Sequence, residues 1–375
     1  MVSEQSRAVT QAAVASLRES LGLSDTEARR RFAAQPALDA LGGRLVGQLK
    51  DRQAGAWIDP ADGGLVVNVL DPGGARTVQA AGARARIVRH SSAQLQHIVS
   101  KLSGAGMPAG SSWGIDPRAD AVVVEVPGGQ PLTSLRRYGD AVISKRSAAR
   151  TRSLAGPASA AAAAAAGTTD LYGGLVINAD FPGGPRCTSG FVARPAHTYP
   201  GAFTYLLTAG HCGEVNSKWY RGNSIIGAIS HRVWGPDDYA TIALSNPDVW
   251  RPQPWVYTTS AQPVRGGYTP ATVGVTVCMR GAISGYSCGQ IDEFNTGFVD
   301  EISGVRVSGL VQADLCSAPG DSGAPVITSF RNGVLGVGMI SGSPLTSAGQ
   351  CQGVAMYEPL ATVLKKADLD LVMAE

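Results

Sequence analysis

The sequence predicts an α+β region followed by an all-β domain. Residues 5–50 have helical patterns, whereas short apolar segments separated by Gly/Pro turns follow one another from residue 171 onward. All six cysteines lie in this second part, and none lies in residues 1–167. Regularly spaced short strands are typical of a β-sandwich or a β-barrel. A chain of 375 residues is long enough for two or three domains.

The N-terminal region is predicted to begin with helices. Ser24 and Glu27 have the spacing of a capping box, with Ser24 as the N-cap and Glu27 at N3. Leucines then recur at helical spacing at positions 38, 41, 45 and 49. The further predicted elements are a strand over 64–70 closed by a turn over 71–74, a strand over 84–89, a helix over 92–102, a strand over 121–126 and a short helix over 131–143. Together they make residues 1–145 an α+β region.

Residues 146–170 differ in composition from both neighbouring regions. Several arginines are followed by seven alanines at 160–166. A run of alanines can form a helix, but one this short is not stable alone in water. We interpret the segment as an exposed linker and expect cleavage within it, leaving a fragment that begins near residues 160–171.

The second region, residues 171–375, is predicted to be rich in strands. They are predicted over 174–178, 188–193, 204–208, 225–231, 240–244, 272–279, 308–313, 324–328 and 333–340. A terminal helix is predicted over 359–372.

Charge divides the chain at the same place as the cysteines. Residues 1–167 contain 20 Lys/Arg and 13 Asp/Glu, whereas residues 168–375 contain 12 Lys/Arg and 16 Asp/Glu. Two regions of opposite net charge could bind each other. The basic residues are dispersed and lack interleaved aromatic residues, so we expect no nucleic-acid partner. No run of 18 apolar residues is present, so we expect no membrane span.

Six cysteines confined to one region indicate disulfides and an oxidising compartment. They allow fifteen pairings, among which sequence alone does not choose. Zinc is disfavoured because no CxxC pair is present and histidines are few, so we expect neither a metal nor another cofactor. The first residues lack a basic segment followed by an apolar one, so no signal peptide is predicted. We expect that an export signal preceded residue 1.

Three short segments contain the residue types of nucleophilic catalysis. Ser322 lies between two glycines and directly after Asp321, and a serine hydroxyl needs a base to become a nucleophile. His211 follows a predicted strand, and a histidine titrating at about pH 6.5 can accept and return a proton. Asp238 begins another strand and could orient the imidazole. Each residue alone could equally belong to a turn or a structural contact, but together they predict a Ser-His-Asp triad.

Residues 171–375 resemble the chymotrypsin-like serine proteases, specifically the bacterial secreted branch of streptogrisins and alpha-lytic protease. The matching segments are 208–212, 238–240, 278 with 284–289, and 318–323. Residues 5–145 resemble the pro-region of that family at 21–24, 54–59, 88–91 and 112–117. The resemblance implies two antiparallel β-barrels with the active site between them. It also implies a pro-region that assists folding, inhibits the protease and is then removed.

The resemblance implies a role for individual residues. Ser322 would be the nucleophile, His211 the general base and Asp238 the orienting carboxylate, and the N–H groups of Gly320 and Ser322 would form the oxyanion hole. Asp238 is preferred to Asp237 because the aspartate of the family directly precedes an aromatic-small-aliphatic run. Substrate would bind against Ser317, Ala318 and Pro319 and along Ser341, Gly342 and Ser343. The implied disulfides are Cys187–Cys212, Cys278–Cys288 and Cys316–Cys351.

Three positions depart from the family pattern. Ala324 replaces the second glycine after the serine. Met279 stands where family members have an arginine that holds the aspartate before the serine, and Arg280 follows it. Ser343 stands where the substrate edge has glycine, and its side chain could narrow the first specificity pocket.

The sequence therefore predicts a secreted serine endopeptidase, present here as its proenzyme. Its expected partners are protein or peptide substrates and its own pro-region, and we expect a monomer after maturation. No charged residue lies in 317–319 or 340–343, and Ile340 stands where glutamate-specific relatives have histidine, so we expect cleavage after apolar or aromatic residues. Two alternatives are a binding protein that kept the fold without activity and an esterase with the same triad. The esterase motif Gly-x-Ser-x-Gly is incomplete here because Ala324 takes the place of its last glycine.

Overall fold

The computed structural model of the chain describes residues 4–104, 106–128, 133–158, 169–197, 204–245, 249–351 and 353–375. The alanine run at 160–166 and the start of the helix predicted over 131–143 lie outside these residues.

The N-terminal region combines helices and strands, as predicted for residues 1–145, and its strands continue to residue 153. Its helices are α1 (Glu4–Leu21), α2 (Asp25–Leu49), α3 (Pro72–Ala80) and α4 (Ser92–Gly104). Its strands are β1 (Gln53–Ile58), β2 (Leu65–Val69), β3 (Arg84–Ile87), β4 (Ser112–Asp116), β5 (Ala121–Pro127), β6 (Val142–Ser147) and β7 (Arg150–Ser153). The Ser24 hydroxyl accepts a hydrogen bond from the Glu27 N–H at 3.2 Å, which confirms the predicted N-cap of α2.

The turn predicted over 71–74 is wrong, because α3 begins there. Asp71 is the N-cap of α3 and accepts a hydrogen bond from the Gly74 N–H at 2.9 Å, while Pro72 occupies the first helical turn. An Asp-Pro pair followed by glycines is a signal for both a turn and a helix start, and the sequence pattern does not separate them. The short helix predicted over 131–143 is a 3₁₀ segment at Thr133–Ala141, followed by β6.

The second region is built almost entirely from strands, as predicted. They are β8 (Asp170–Gly173), β9 (Val176–Ala179), β10 (Arg186–Thr188), β11 (Val192–Pro195), β12 (Tyr205–Thr208), β13 (Lys218–Arg221), β14 (Ser224–Trp234), β15 (Asp238–Leu244), β16 (Arg251–Tyr257), β17 (Ala261–Gly267), β18 (Thr276–Gly281), β19 (Gly285–Val299), β20 (Arg306–Ala313), β21 (Pro325–Phe330), β22 (Gly333–Leu345), β23 (Ala355–Pro359) and β24 (Leu369–Leu371). The strand predicted over 188–193 merges the end of β10 with the start of β11. The predicted terminal helix is shorter than expected, because α5 (Leu360–Ala367) is followed by β24, which pairs with β11.

Most of these strands form two curled antiparallel sheets, each around its own apolar core, while β17, β16 and β8 extend the second sheet from β22 through the parallel pairs β17–β22 and β16–β8. One sheet has the order β10-β9-β13-β14-β15-β12-β11-β24 and encloses side chains such as Ile177 and Trp219. The other closes on itself in the order β18-β19-β20-β23-β22-β21, with β21 pairing back to β18, around side chains such as Val277 and Val326. The predicted pair of β-barrels is therefore confirmed.

The N-terminal region is joined to the second barrel by backbone and side-chain contacts. β4 pairs antiparallel with β19, with Trp113 opposite Gly297, so a sheet of the N-terminal region continues into the barrel. On α1, Val9 is fully buried in a cluster that it shares with strands of the barrel. On α2, the Gln35 side chain accepts a hydrogen bond from the Thr276 N–H at 2.9 Å.

Residues 146–154 are not the exposed linker that their composition predicts. The first two belong to β6, which runs parallel to β5, and β7 pairs antiparallel with β22. Thr151 is only 2% exposed and Leu154 is fully buried. The composition was misleading because strand pairing uses the backbone, so the arginine side chains of this segment do not prevent it.

Three disulfides join Cys187 to Cys212, Cys278 to Cys288 and Cys316 to Cys351, the same pairs that the resemblance implies.

None of the helices in the described ranges is both long enough and apolar enough to cross a membrane.

Candidate active site

The two barrels bring His211, Asp238 and Ser322 together. His211 lies in a short 3₁₀ turn directly after β12, Asp238 begins β15, and Ser322 lies in the loop before β21. The Ser322 Oγ lies 2.5 Å from His211 Nε2, and His211 Nδ1 lies 2.7 Å from Asp238 Oδ2. All three side chains are nearly or fully buried. This arrangement can transfer a proton from the serine hydroxyl to the imidazole.

Several contacts fix Asp238 beneath the imidazole. Its Oδ1 accepts a hydrogen bond from the His211 backbone N–H at 3.0 Å, and its Oδ2 accepts one from the Ser341 hydroxyl at 2.6 Å. The neighbouring Asp237 instead forms an ion pair with Lys366, with Oδ atoms 2.6 and 2.7 Å from Nζ. The structure therefore places Asp238, and not Asp237, against His211.

Glu358 is a buried acid behind the aspartate that sequence reasoning missed. Its Oε2 accepts a hydrogen bond from the Asp238 N–H at 3.0 Å, whereas its Oε1 has no partner within the described residues. Burial, with a smaller contribution from the negative charges of Asp237 and Asp238, raises the pKa of Glu358 to about 8. The carboxyl group is thus mostly protonated at neutral pH. A signal was present in the sequence, since Glu358 is the one charged residue of the otherwise apolar β23.

The backbone of the loop before Ser322 presents an N–H group toward Leu154. The Gly320 N–H donates a hydrogen bond to the Leu154 carbonyl oxygen. Gly320 has a φ of 110°, and a Cβ at this position would lie 2.6 Å from Ile283 Cγ1. Only glycine fits both the backbone conformation and the space, so this donor depends on the glycine.

Asp321 holds this loop through backbone N–H groups and not through an arginine. Its Oδ1 accepts from the Ile283 N–H and its Oδ2 from the Ala318 N–H, both at 2.8 Å, and the Ser284 N–H lies 3.2 Å from Oδ1. The Arg280 guanidinium lies 5.8 Å from the centre of the Tyr257 ring, and no ion pair joins it to Asp321 in the described part of the chain. Backbone N–H groups therefore bind the Asp321 carboxylate in place of the arginine that is absent at position 279. The sequence does not reveal these hydrogen bonds.

The residues predicted to bind substrate lie in the loop before Ser322 and on β22. Ser317, Ser341 and Ser343 are fully buried, Gly342 is buried, and Ala318 and Pro319 are half-buried. The Ser343 hydroxyl donates a hydrogen bond to the Val354 carbonyl oxygen at 2.6 Å. No group of three or more His, Cys, Asp or Glu side chains among the described residues is placed to hold a metal ion.

Comparisons with known proteins cover both regions of the chain. Family models match at residues 26–88 (alpha-lytic protease pro N-terminal), 90–142 (alpha-lytic protease prodomain) and 198–365 (trypsin). Streptogrisin-D of Streptomyces griseus is 30% identical over 315 residues, covering 83% of this chain and 74% of the relative. Serine protease 1 of Streptomyces fradiae is 29% identical over 345 residues, covering 90% of this chain and 87% of the relative. Among solved structures, Thermobifida fusca Protease A is 25% identical, with a TM-score of 0.46, over 55% of this chain and 100% of its own.

Proposed function

The chain belongs to the streptogrisin and alpha-lytic protease family of serine endopeptidases, and we propose that Ser322, His211 and Asp238 are its catalytic triad. The observation that carries this proposal is the continuous chain of hydrogen bonds from Ser322 Oγ through the imidazole to Asp238 Oδ2, at 2.5 and 2.7 Å. A nucleophile and its base must lie within such reach of each other, and the base must be oriented by a third group.

In the proposed reaction, Ser322 Oγ attacks the substrate carbonyl carbon while its proton passes to His211 Nε2. The N–H groups of Gly320 and Ser322 stabilise the negative charge on the carbonyl oxygen, and one such donor is worth about 3 kcal/mol in the transition state. Asp238 orients the imidazole and stabilises its protonated form. His211 then gives the proton to the leaving amine, and water hydrolyses the acyl-enzyme by the same steps in reverse.

We propose that residues 1–145 are the pro-region, which assists folding of the protease domain at 171–375 and inhibits it. The pairing of β4 with β19 supports the first role, because it extends a sheet of the barrel. The pairing of β7 with β22 supports the second, because β7, in the segment that follows residue 145, already occupies an edge that an incoming substrate would need. The connecting segment at 146–170 would contain the cleavage site.

We propose that the mature protease cleaves after apolar or aromatic residues. Support comes from the absence of charge in 317–319 and 340–343, since binding a lysine or arginine side chain needs an acid in the pocket. The fully buried Ile340 adds to the apolar character of this part of the barrel.

We propose that the protease acts outside the cell. All six cysteines are in disulfides, which persist in oxidising compartments and are rare in reducing ones. The chain is expected to lose activity when its disulfides are reduced.

The catalytic proposal is tested on the full-length protein after it has been incubated to allow self-cleavage. The wild type is expected to react with a fluorophosphonate probe and to hydrolyse apolar p-nitroanilide peptides. Ser322→Ala is expected to do neither, whereas Ser347→Ala, which removes an exposed serine, is expected to behave as the wild type. Absence of labelling of the wild type would contradict the proposal and favour a binding protein. Labelling with hydrolysis of esters but not of amides would favour an esterase.

A further inference from the structure

We propose that this chain cuts itself first at the Leu154–Ala155 bond, so that the protease is released with Ala155 at its N-terminus. The inference rests on the proposed triad and names its first substrate. It replaces the expected cut near 160–171 with one specific bond and leaves residues 155–170 attached to the protease.

The residues before this bond lie on the edge of β22 as a substrate strand would. β7 pairs antiparallel with β22, with Ser153 opposite Gly342 and Arg152 opposite Ser343. A Cβ on Gly342 would lie 2.9 Å from the Arg152 carbonyl oxygen, so the close approach needs glycine there. The far edge of β7 is also held, because the Ser153 N–H donates to Asp300 Oδ1 at 2.6 Å. The backbone leading to the bond is thus fixed on both edges.

Leu154 occupies the position of the residue whose carbonyl is attacked. Its side chain is fully buried in the apolar cluster of the second barrel, together with Leu315 and Ile340. Its carbonyl oxygen accepts the hydrogen bond from the Gly320 N–H, the donor proposed for the oxyanion hole. Burial of the side chain and contact of the carbonyl with that donor together select the bond that follows Leu154.

The chain is held after the bond as well. The Gly156 N–H donates to the Arg186 carbonyl oxygen at 2.8 Å, and the Arg186 N–H donates to the Gly156 carbonyl oxygen at 2.9 Å. A Cβ on Gly156 would lie 2.9 Å from the Gly320 Cα, so this approach also needs glycine. Ala155, which would carry the leaving amine, is exposed. The chain is therefore bound to the protease domain both before and after the Leu154–Ala155 bond. This is how an uncut substrate binds, whereas an inhibitor alone needs contacts on only one side.

Hydrolysis of the Leu154–Ala155 bond needs only Ser322, His211 and water as reacting groups. Ser322 Oγ adds to the Leu154 carbonyl carbon, and its proton moves to His211 Nε2. As the bond to the Ala155 nitrogen breaks, that nitrogen takes the proton and leaves as an amine. Water then hydrolyses the ester between Ser322 and Leu154, which gives a carboxylate on residue 154 and regenerates the serine.

Time-resolved intact-mass spectrometry of the full-length chain tests the inference. The first products of the wild type are expected to be residues 1–154 and 155–375, and Ser322→Ala is expected to stay intact. Leu154→Lys puts a charge where the pocket is apolar and is expected to slow the cut by about 100-fold or more. Ala158→Lys, an exposed change four residues later, is expected to be cut at the wild-type rate.

A first fragment of the wild type that begins at 160–171 would overturn the inference, and so would Leu154→Lys cut at the wild-type rate. Cleavage of Ser322→Ala after Leu154 at that rate would mean that another protease cuts the bond. Since Leu154→Lys could fail to fold, matured wild type is also offered a synthetic peptide of residues 150–158. Cleavage between its leucine and the following alanine is expected, and an intact peptide would overturn the inference.

Hydrolysis of a blocked peptide p-nitroanilide that ends in leucine, by the same sample, separates the two proposals. If the anilide is cleaved but the first cut lies elsewhere, only the choice of bond is wrong. If neither the anilide nor the chain is cleaved, the proposed catalytic function is wrong as well.

Discussion

The Ser341 hydroxyl and the His211 imidazole share one oxygen of Asp238. Ser341 Oγ lies 2.6 Å and His211 Nδ1 lies 2.7 Å from Oδ2. Ser341 was expected to form part of the edge that binds substrate, so we expect β22 to have two roles. In the proposed reaction the backbone of β22 receives an extended peptide, and the Ser341 side chain holds the carboxylate that orients the base.

We expect Ser341→Ala to lower kcat about tenfold with little change in KM. The reason is that a hydrogen bond to a buried carboxylate is worth about 1.5–3 kcal/mol and its loss frees Asp238 to rotate. Steady-state kinetics on a peptide anilide measures both constants. Ser230→Ala, which removes a hydroxyl that contacts Thr241 in the other barrel, serves as the control and should leave kcat within twofold. An unchanged kcat in Ser341→Ala would show that the hydroxyl does not position the triad.

We expect the loop before Ser322 to depend on Asp321 and not on Arg280. Asp321→Ala removes the acceptor of the Ile283 and Ala318 N–H groups and should lower kcat/KM by at least about 100-fold. Arg280→Ala removes only a guanidinium near Tyr257 and should change kcat/KM by less than about threefold. The two variants are compared with the same peptide anilide. A large loss in Arg280→Ala would mean that the arginine reaches the loop during catalysis.

The sequence predicted most of the fold and the three residues of the candidate site, because each has a local signal. Strand alternation and turn residues are readable locally, and Ser322 and His211 stand in distinctive short segments. The missed features depend on distant pairing. β19 is polar and rich in glycine, and it is a strand because β4, β18 and β20 pair with it. The burial of Glu358 and the strand formed by residues 150–153 likewise follow from contacts between residues far apart in the chain.

We expect Glu358 to make the folded chain less stable as pH rises from about 4.5 to about 8. Its pKa is raised by folding to about 8, so over this range the folded state keeps a proton that the unfolded state has lost. The contribution of Glu358 to the free energy of unfolding is fully present below pH 4.5 and is lost as the pH rises through 8. The free energy of unfolding falls by at most about 1.4 kcal/mol per pH unit over this range. Glu358→Gln keeps an oxygen acceptor for the Asp238 N–H and should flatten this slope.

Chemical unfolding of the full-length Ser322→Ala chain at pH 5, 6, 7 and 8 measures this slope without self-digestion. The same measurement is made with Glu358→Gln added. Glu19→Gln is the matched control, because Glu19 is 74% exposed and should leave the slope unchanged. An identical slope with and without Glu358→Gln would show that the buried carboxyl does not titrate in this range.

We expect the pro-region to bind the protease more weakly as pH rises, because their interface buries acids. Glu293 of β19 lies against Gly114 of β4. A Cβ on Gly114 would lie only 2.1 Å from Glu293 Oε2. Burial, followed by the charge of Asp116, raises the pKa of Glu293 to about 8. Burial and the nearby Asp314 also raise the pKa of Asp292, although Arg118 offsets part of this effect with an ion pair at 3.2 Å.

Because binding raises these pKa values, formation of the complex takes up protons and is favoured at lower pH. The dissociation constant of residues 1–154 from residues 155–375 with Ser322→Ala, the two produced as separate chains, should therefore increase between pH 5 and pH 8, by at most about tenfold per pH unit for each acid. Glu293→Gln removes one of the two acids and should reduce this dependence, whereas Glu214→Gln, an exposed change in the other barrel, should not. Calorimetric titration at several pH values measures the constants. An equal pH dependence in Glu293→Gln and the parent would place the proton uptake elsewhere in the interface.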